Sequence, residues 1–123
     1  MYKLTDAEWA VLEALWGRPE AGALLGDLVT TLYPQKKWTR NTVHTYLTRM
    51  EAKGLVSICR DTDPHTYTAA VTRDACARQE RNNLLNRVYG GAASDLVAAF
   101  LKESHITAEE RDALKKLLDE MEV

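Results

Sequence analysis

Cysteine is scarce in this chain, and the two residues present sit far apart in the sequence. Cys59 and Cys76 have no second cysteine or histidine at ligand spacing, so neither a disulfide framework nor a zinc site is supported, and two free, buried thiols are expected. Long apolar runs are missing as well. No stretch approaches the length of a membrane span, and Met1-Tyr2-Lys3 leads into a helix signal rather than a signal-peptide core; no membrane insertion is expected, and the cytoplasm is the expected location. Catalytic signatures are also absent. There is no H-E-x-x-H and no phosphate-binding glycine loop, and His44, His65 and His105 lie scattered, without a nucleophile placed beside them by a recognisable element. The pattern speaks against an enzyme and implies neither cofactor nor metal.

What is present is an ordinary globular composition, 46% hydrophobic and 28% charged over 123 residues, enough to bury a real core. The net charge of −2 hides an uneven distribution. Between Lys36 and Arg60 six basic residues (Lys36, Lys37, Arg40, Arg49, Lys53 and Arg60) face one acid, Glu51, a local balance of +5. After Asp74 seven Lys and Arg stand against nine Asp and Glu. A basic patch on a mildly acidic chain is the footprint of a site that binds a polyanion at one place, although a charge run by itself is often only a solvated face.

That patch coincides with an unusual helix. In Trp38 to Leu55 the residues Val43, Leu47 and Met50 share one face at 100° per residue, with Tyr46 beside them for core packing. The opposite face carries Asn41, His44, Thr45 and Thr48, with Thr42 close by, where a solvated helix would carry Glu and Lys. Short hydroxyl, amide and imidazole groups on a thin face suit the major groove of duplex DNA, with Arg40 and Arg49 flanking to meet phosphates. Thr39 is placed to cap the start of this helix and Gly54 its end. Trp38 could stack on a sugar or a base; an aromatic just before a helix more often packs on the preceding turn, and that role is preferred.

Around this helix the order of elements reads as a winged helix-turn-helix. Thr5-Asp6-Ala7-Glu8 is a capping box that opens a helix with Trp9, Leu12, Leu15 and Trp16 at core spacing, stopping at Gly17-Arg18-Pro19. A second short helix runs from Ala23 to Tyr33 and is ended by Pro34. After Leu55 the period changes from 3.6 to 2. Leu55 to Arg60 and His65 to Val71 form a hairpin across Asp61 to Pro64, with Cys59 a half-buried strand residue. The acidic tip is a poor complement to phosphate, which leaves Arg60, His65 or Thr66 as weak wing contacts. The expected fold is thus mainly α with a small β-hairpin: a winged-helix DNA-binding domain over residues 1–72, followed by a helical dimerisation region over 73–123.

In the second region Thr72 caps a helix from Arg73 to Tyr89 with Ala75, Leu84, Leu85 and Val88 available for burial, and Gly90-Gly91 breaks it. Ser94 to Glu103 follows with Leu96, Val97, Phe100 and Leu101 on one side, the first three taken as dimerisation residues. Thr107 to Glu110 is a second capping box, opening a helix with Leu114, Leu117, Leu118 and Met121 at i, i+3, i+4 and i+7. Short helices with such stripes need a partner, and a second copy of the chain is preferred over folding back, because two recognition helices read a palindrome. The DNA-contact set expected from this reading is Thr39, Arg40, Asn41, Thr42, His44, Thr45, Thr48, Arg49 and Arg60. A winged helix that binds protein instead of DNA is the rival; it should expose apolar or acidic groups where this helix exposes Asn, His and Thr.

Three stretches resemble the penicillinase repressor family of bacterial regulators (BlaI, MecI and CopY type). They are Leu4-Thr5-x-x-Glu8-Trp9, then Trp38-x-x-x-Thr42-Val43-x-Thr45-x-Leu47-x-Arg49-Met50-x-x-Lys53-Gly54, then Tyr67, and the likeness extends through Asn86 to Gly91 and the tail. The resemblance implies a homodimeric repressor on dyad-symmetric operators, with Asn41, Thr42, His44 and Thr45 approaching bases and Arg49 holding phosphate. Two departures matter. The copper-responsive branch carries a cysteine-rich C-terminal metal motif that this chain lacks, so the likeness is closer to the β-lactam branch. In that branch a membrane sensor's signal leads to cleavage of an Asn-Phe bond in the helix matching Ser94 to Glu103; here the pair is Ala99-Phe100. The Gly-Arg often found at the family's wing tip is replaced by Asp61 to Pro64.

Overall fold

The structure is a computed structural model that describes residues 3–18 and 22–122. It contains α1 (Asp6–Trp16), α2 (Leu25–Lys36), α3 (Arg40–Ala52), β1 (Val56–Cys59), β2 (Thr66–Ala69), α4 (Arg73–Tyr89), α5 (Ala93–Glu103) and α6 (Ala108–Glu120). The chain divides into two compact units, Met1–Glu80 and Arg81–Val123.

The first unit is built on one core. Val11, Leu12 and Leu15 of α1, Leu28 and Leu32 of α2, Val43, Leu47 and Met50 of α3, Leu55, Val56 and Tyr67 of the hairpin and Cys76 of α4 are buried together. Each helix contributes residues three, four or seven apart, the spacing that puts one stripe inside. The two tryptophans of α1 sit at the rim of this core rather than within it. They meet edge to face at 5.6 Å, and their indole N–H groups donate to the Glu13 carboxylate from Trp9 and to the Val71 carbonyl from Trp16. A large ring with one polar atom gains from the rim because that atom keeps a partner.

The capping box of α1 forms as expected: Glu8 N–H donates to Thr5 Oγ1 at 3.1 Å and Thr5 N–H to Glu8 Oε1 at 2.9 Å. The stop falls on Gly17, the C-cap; Pro19, the last residue of the expected stop signal, lies outside the described residues. The second helix differs at both ends from the expected Ala23 to Tyr33. Ala23 is taken by an antiparallel bridge to Tyr67, its N–H donating to Tyr67 O at 2.9 Å and its carbonyl accepting from Tyr67 N–H at 2.8 Å, so it cannot enter the helix. Gly22 makes this bridge possible. Its φ of +95° and the 3.2 to 3.3 Å that a Cβ would leave to Thr66 and Thr68 demand a residue without a side chain. At the other end Pro34 lies inside the helix, which ends at Lys37 in a left-handed conformation, φ 53°. Pro34 gives up its own N–H bond and crowds the carbonyl one turn back, yet the final turn still closes, Lys37 N–H reaching Tyr33 O at 2.9 Å.

α3 stops in a full Schellman motif. Leu55 N–H donates to Met50 O at 2.9 Å and Gly54 N–H to Glu51 O at 3.0 Å, with Gly54 at φ +79° and both Leu55 and Met50 fully buried. The hairpin pairs Val56 with Ala69 and Cys59 with Thr66. Alternation turns Val56 and Ile58 inward, which leaves Cys59 exposed and corrects the expectation of a half-buried thiol; Cys76 alone is buried. Thr72 Oγ1 caps α4 at Ala75 N–H as expected, but the expected Ala75 is exposed and its neighbour Cys76 takes the core position, the side of the helix that the first unit's core covers.

The second unit has no comparable core. Leu84 and Leu85 are half-buried and Val88 is exposed, while α5 and α6 contain no buried residue. The capping box at Thr107 and Glu110 opens α6 as its sequence dictates.

Candidate nucleic-acid interface

Thr39 starts the site. Its Oγ1 accepts from Thr42 N–H at 3.3 Å and lies 3.1 Å from the Thr42 hydroxyl, fixing the first turn of α3. Val43, Leu47 and Met50, all without exposure, then lock the rotation of the helix. The outward face follows from that phase and carries Arg40, Asn41, His44, Thr45, Thr48 and Arg49, every one exposed.

Hydrogen bonding separates these side chains into two kinds. Thr45 Oγ1 donates to Asn41 O at 2.9 Å and Thr48 Oγ1 to His44 O at 3.0 Å, so both hydroxyl protons are committed within the helix. The side chains of Arg40, Asn41, His44 and Arg49 make no hydrogen bond among the described residues. An exposed face with two free guanidinium groups, a free carboxamide and a free imidazole can donate to and accept from a polyanion along its length.

Arg60 is placed differently from the rest. Its guanidinium is held in a fork by Glu51, at 2.6 and 2.9 Å, so a phosphate there would compete with a carboxylate. The same hydrogen bonds hold the Glu51 carboxyl below its ordinary value and raise Arg60 above its own. Lys53 is likewise drawn away, its Nζ 2.6 Å from Glu8 Oε2. The local excess of positive charge is thereby concentrated on Arg40 and Arg49 of α3 and on Lys36 and Lys37 before it.

Trp38 is half-buried and stacks on Tyr46, ring centroids 4.7 Å apart and planes 29° apart, with the Lys36 ammonium 5.8 Å from the Trp38 ring centroid. Its ring partner thus lies nearly two turns into α3, while Lys36 of the preceding segment sits beside the same ring. The sequence did not reveal a cleft of about 400 Å³ in which Arg40 faces Leu24 to Asp27, Asp63, Pro64, His65 and Tyr67. No local signal could have found it, because it joins the start of α2, the start of α3 and the wing tip.

The expected dimerisation residues divide between two helices of the second unit. Val97 and Phe100 of α5, Leu114, Leu117 and Leu118 of α6 and Met121 just beyond it are between 38% and 62% exposed, and Leu96 is half-buried. An open apolar groove of about 480 Å³ runs between Leu101, Ile106, Leu114 and Leu118. Among the described residues no cluster of His, Cys, Asp and Glu could hold a metal, and no helix is long and apolar enough to cross a membrane.

Three helices, a two-stranded wing and an exposed polar and cationic face on the third helix define the winged-helix class. Residues 4–120 match the model of the penicillinase repressor, and the chain belongs to that family. It is 26% identical over 118 residues to the methicillin resistance regulatory protein MecI of Staphylococcus aureus (strain N315), covering 96% of this chain and 94% of that protein. Penicillinase repressors of Staphylococcus aureus and Bacillus licheniformis are each 24% identical, over 97% and 96% of this chain and 93% and 91% of theirs. A solved structure of Bordetella bronchiseptica BpsR, described for the regulation of its DNA binding by 6-hydroxynicotinic acid, is 25% identical with a TM-score of 0.46, covering 97% of this chain and 76% of that one.

Proposed function

We propose that this protein is a transcriptional repressor that binds a dyad-symmetric DNA operator as a homodimer, α3 lying in the major groove. The observation that carries the reading is the outer face of α3, where Arg40, Asn41, His44 and Arg49 are exposed and hold no hydrogen-bond partner among the described residues. Free cationic groups at the flanks meet phosphates, and free amide and imidazole groups between them meet base edges. Thr39 and Thr42 fix the approach of the helix start, and Arg60 serves the wing through Glu51, with any phosphate contact secondary. Family membership supports the repressor role, and the relatives named for penicillinase and methicillin resistance favour the β-lactam branch.

The second copy covers the apolar stripes of α5 and α6, which a lone chain leaves in water. Selecting bound sequences from random duplex DNA tests the whole reading: a palindrome with two half-sites is expected, and recovery of no sequence above background rejects it. Repression ends, in this reading, when a protease under the control of an inducing membrane sensor cuts α5 near Ala99-Phe100. Within one chain that helix buries no residue, so beyond the contact with the second copy little holds it closed. A chain that stays intact on a blot during full derepression excludes this route.

A further inference from the structure

The committed hydroxyls of α3 constrain what its threonines can read. Thr45 and Thr48 are exposed on the face that the proposed function turns toward DNA, and each donates its hydroxyl proton to a carbonyl one turn back, Asn41 O and His44 O. A threonine whose Oγ1 is bonded back has two things left to offer a base pair. One is the oxygen's remaining lone pairs; the other is the γ-methyl, the second heavy-atom branch on the same exposed Cβ. Donation to guanine O6 or N7 would first require breaking the internal bond. Contact with the thymine C5-methyl, the one apolar group in the major groove, requires breaking nothing.

Resting on the DNA-binding reading above, we propose that Thr45 and Thr48 are specificity-determining residues that recognise thymine through their γ-methyl groups, their hydroxyls remaining bonded to the helix. Asn41, His44 and the two arginines, whose polar ends are free, supply the hydrogen-bonded part of readout. The threonines supply an apolar part between them. The face therefore discriminates a thymine-bearing pair from cytosine-bearing and uracil-bearing pairs at the positions beneath Thr45 and Thr48.

The test uses the full chain and the duplex it selects from a random pool. Each thymine of a half-site is replaced in turn by deoxyuridine, which removes the C5-methyl and keeps every hydrogen-bonding group. Loss of one buried methyl corresponds to about a four-fold rise in Kd, expected at one position for each threonine. Thr45→Val and Thr48→Val keep the methyl and the β-branch and are expected to bind within about two-fold of the unsubstituted chain, whereas Thr45→Ser and Thr48→Ser lose what the deoxyuridine duplex loses, with no further loss when the two changes are combined. Indifference to deoxyuridine at every position, or serine variants that bind more tightly than the valine variants, overturns the proposal while leaving DNA binding intact. A chain that selects no duplex removes both. The deoxyuridine arm changes only the DNA, so it stands even where a variant folds poorly.

Discussion

Glu8 and Lys53 join the start of α1 to the end of α3: Lys53 Nζ donates to Glu8 Oε2 at 2.6 Å while Glu8 Oε1 accepts from Thr5 N–H at 2.9 Å. One carboxylate, only 4% exposed, therefore closes a helix cap and anchors the C-cap residue of α3. Burial pushes the Glu8 carboxyl up. The hydrogen bonds from Lys53 and Thr5, with the charge of Lys53, outweigh it and hold the group below its ordinary 4.5.

The sign of the pH dependence follows. A carboxyl whose folded-state value is depressed stabilises fully above its ordinary value, and the contribution is lost as pH falls through the lower, folded-state value. Glu8→Gln is expected to cost about 1–2 kcal/mol at neutral pH and to flatten the acid limb of the stability profile below 4.5. Urea midpoints across that range check it; an acid limb unchanged in the variant is the contrary result.

Lys37 ends α2 in a left-handed conformation, φ 53°, which an L side chain enters at a cost. Replacement by glycine removes that cost but adds entropy to the unfolded chain, leaving a net gain of about 0.5–1 kcal/mol. Thermal unfolding of Lys37→Gly should show a Tm higher by about 2–5 °C. A lower Tm would mean that the turn between α2 and α3 is set by contacts of the lysine itself.

Arg49 and the pair Asn41 and His44 are all free on one face but should differ in role. Arg49, in the last turn, is positioned as a phosphate contact, so Arg49→Ala should weaken all duplexes alike and lower the salt slope by about one unit. Asn41→Ala or His44→Ala should cost about 1–3 kcal/mol at one base position and shift the selected sequence. Fluorescence anisotropy over a salt series distinguishes them. An Arg49→Ala variant with altered sequence preference and an unchanged slope would reverse the assignment.

Truncation after Gly90 should leave a folded monomer. Among the described residues the buried core lies between Val11 and Cys76, whereas the exposed stripes of α5 and α6 are removed. Operator affinity should fall by orders of magnitude, because the second half-site no longer binds at high effective concentration. Sedimentation reads the result, and a dimeric truncated chain would place the interface within the first 90 residues.

The sequence by itself determined the elements whose causes are local. Thr5 with Glu8, Thr39, Gly54, and Thr107 with Glu110 mark helix ends through bonds spanning three to five residues, and the structure forms each of them. The buried stripe Val43, Leu47 and Met50 was legible for the same reason: helical phase depends only on spacing. Tertiary structure decided what depends on residues distant in the chain. Ala23 leaves α2 because Tyr67 takes both its backbone groups, and Cys76 displaces Ala75 because the first unit's core selects the helix phase. Arg60 and Lys53 look like two more cations of a basic patch until Glu51 and Glu8 are found beside them. Charge is read from composition, but whether it is free to meet a ligand depends on which carboxylates folding brings within hydrogen-bonding distance.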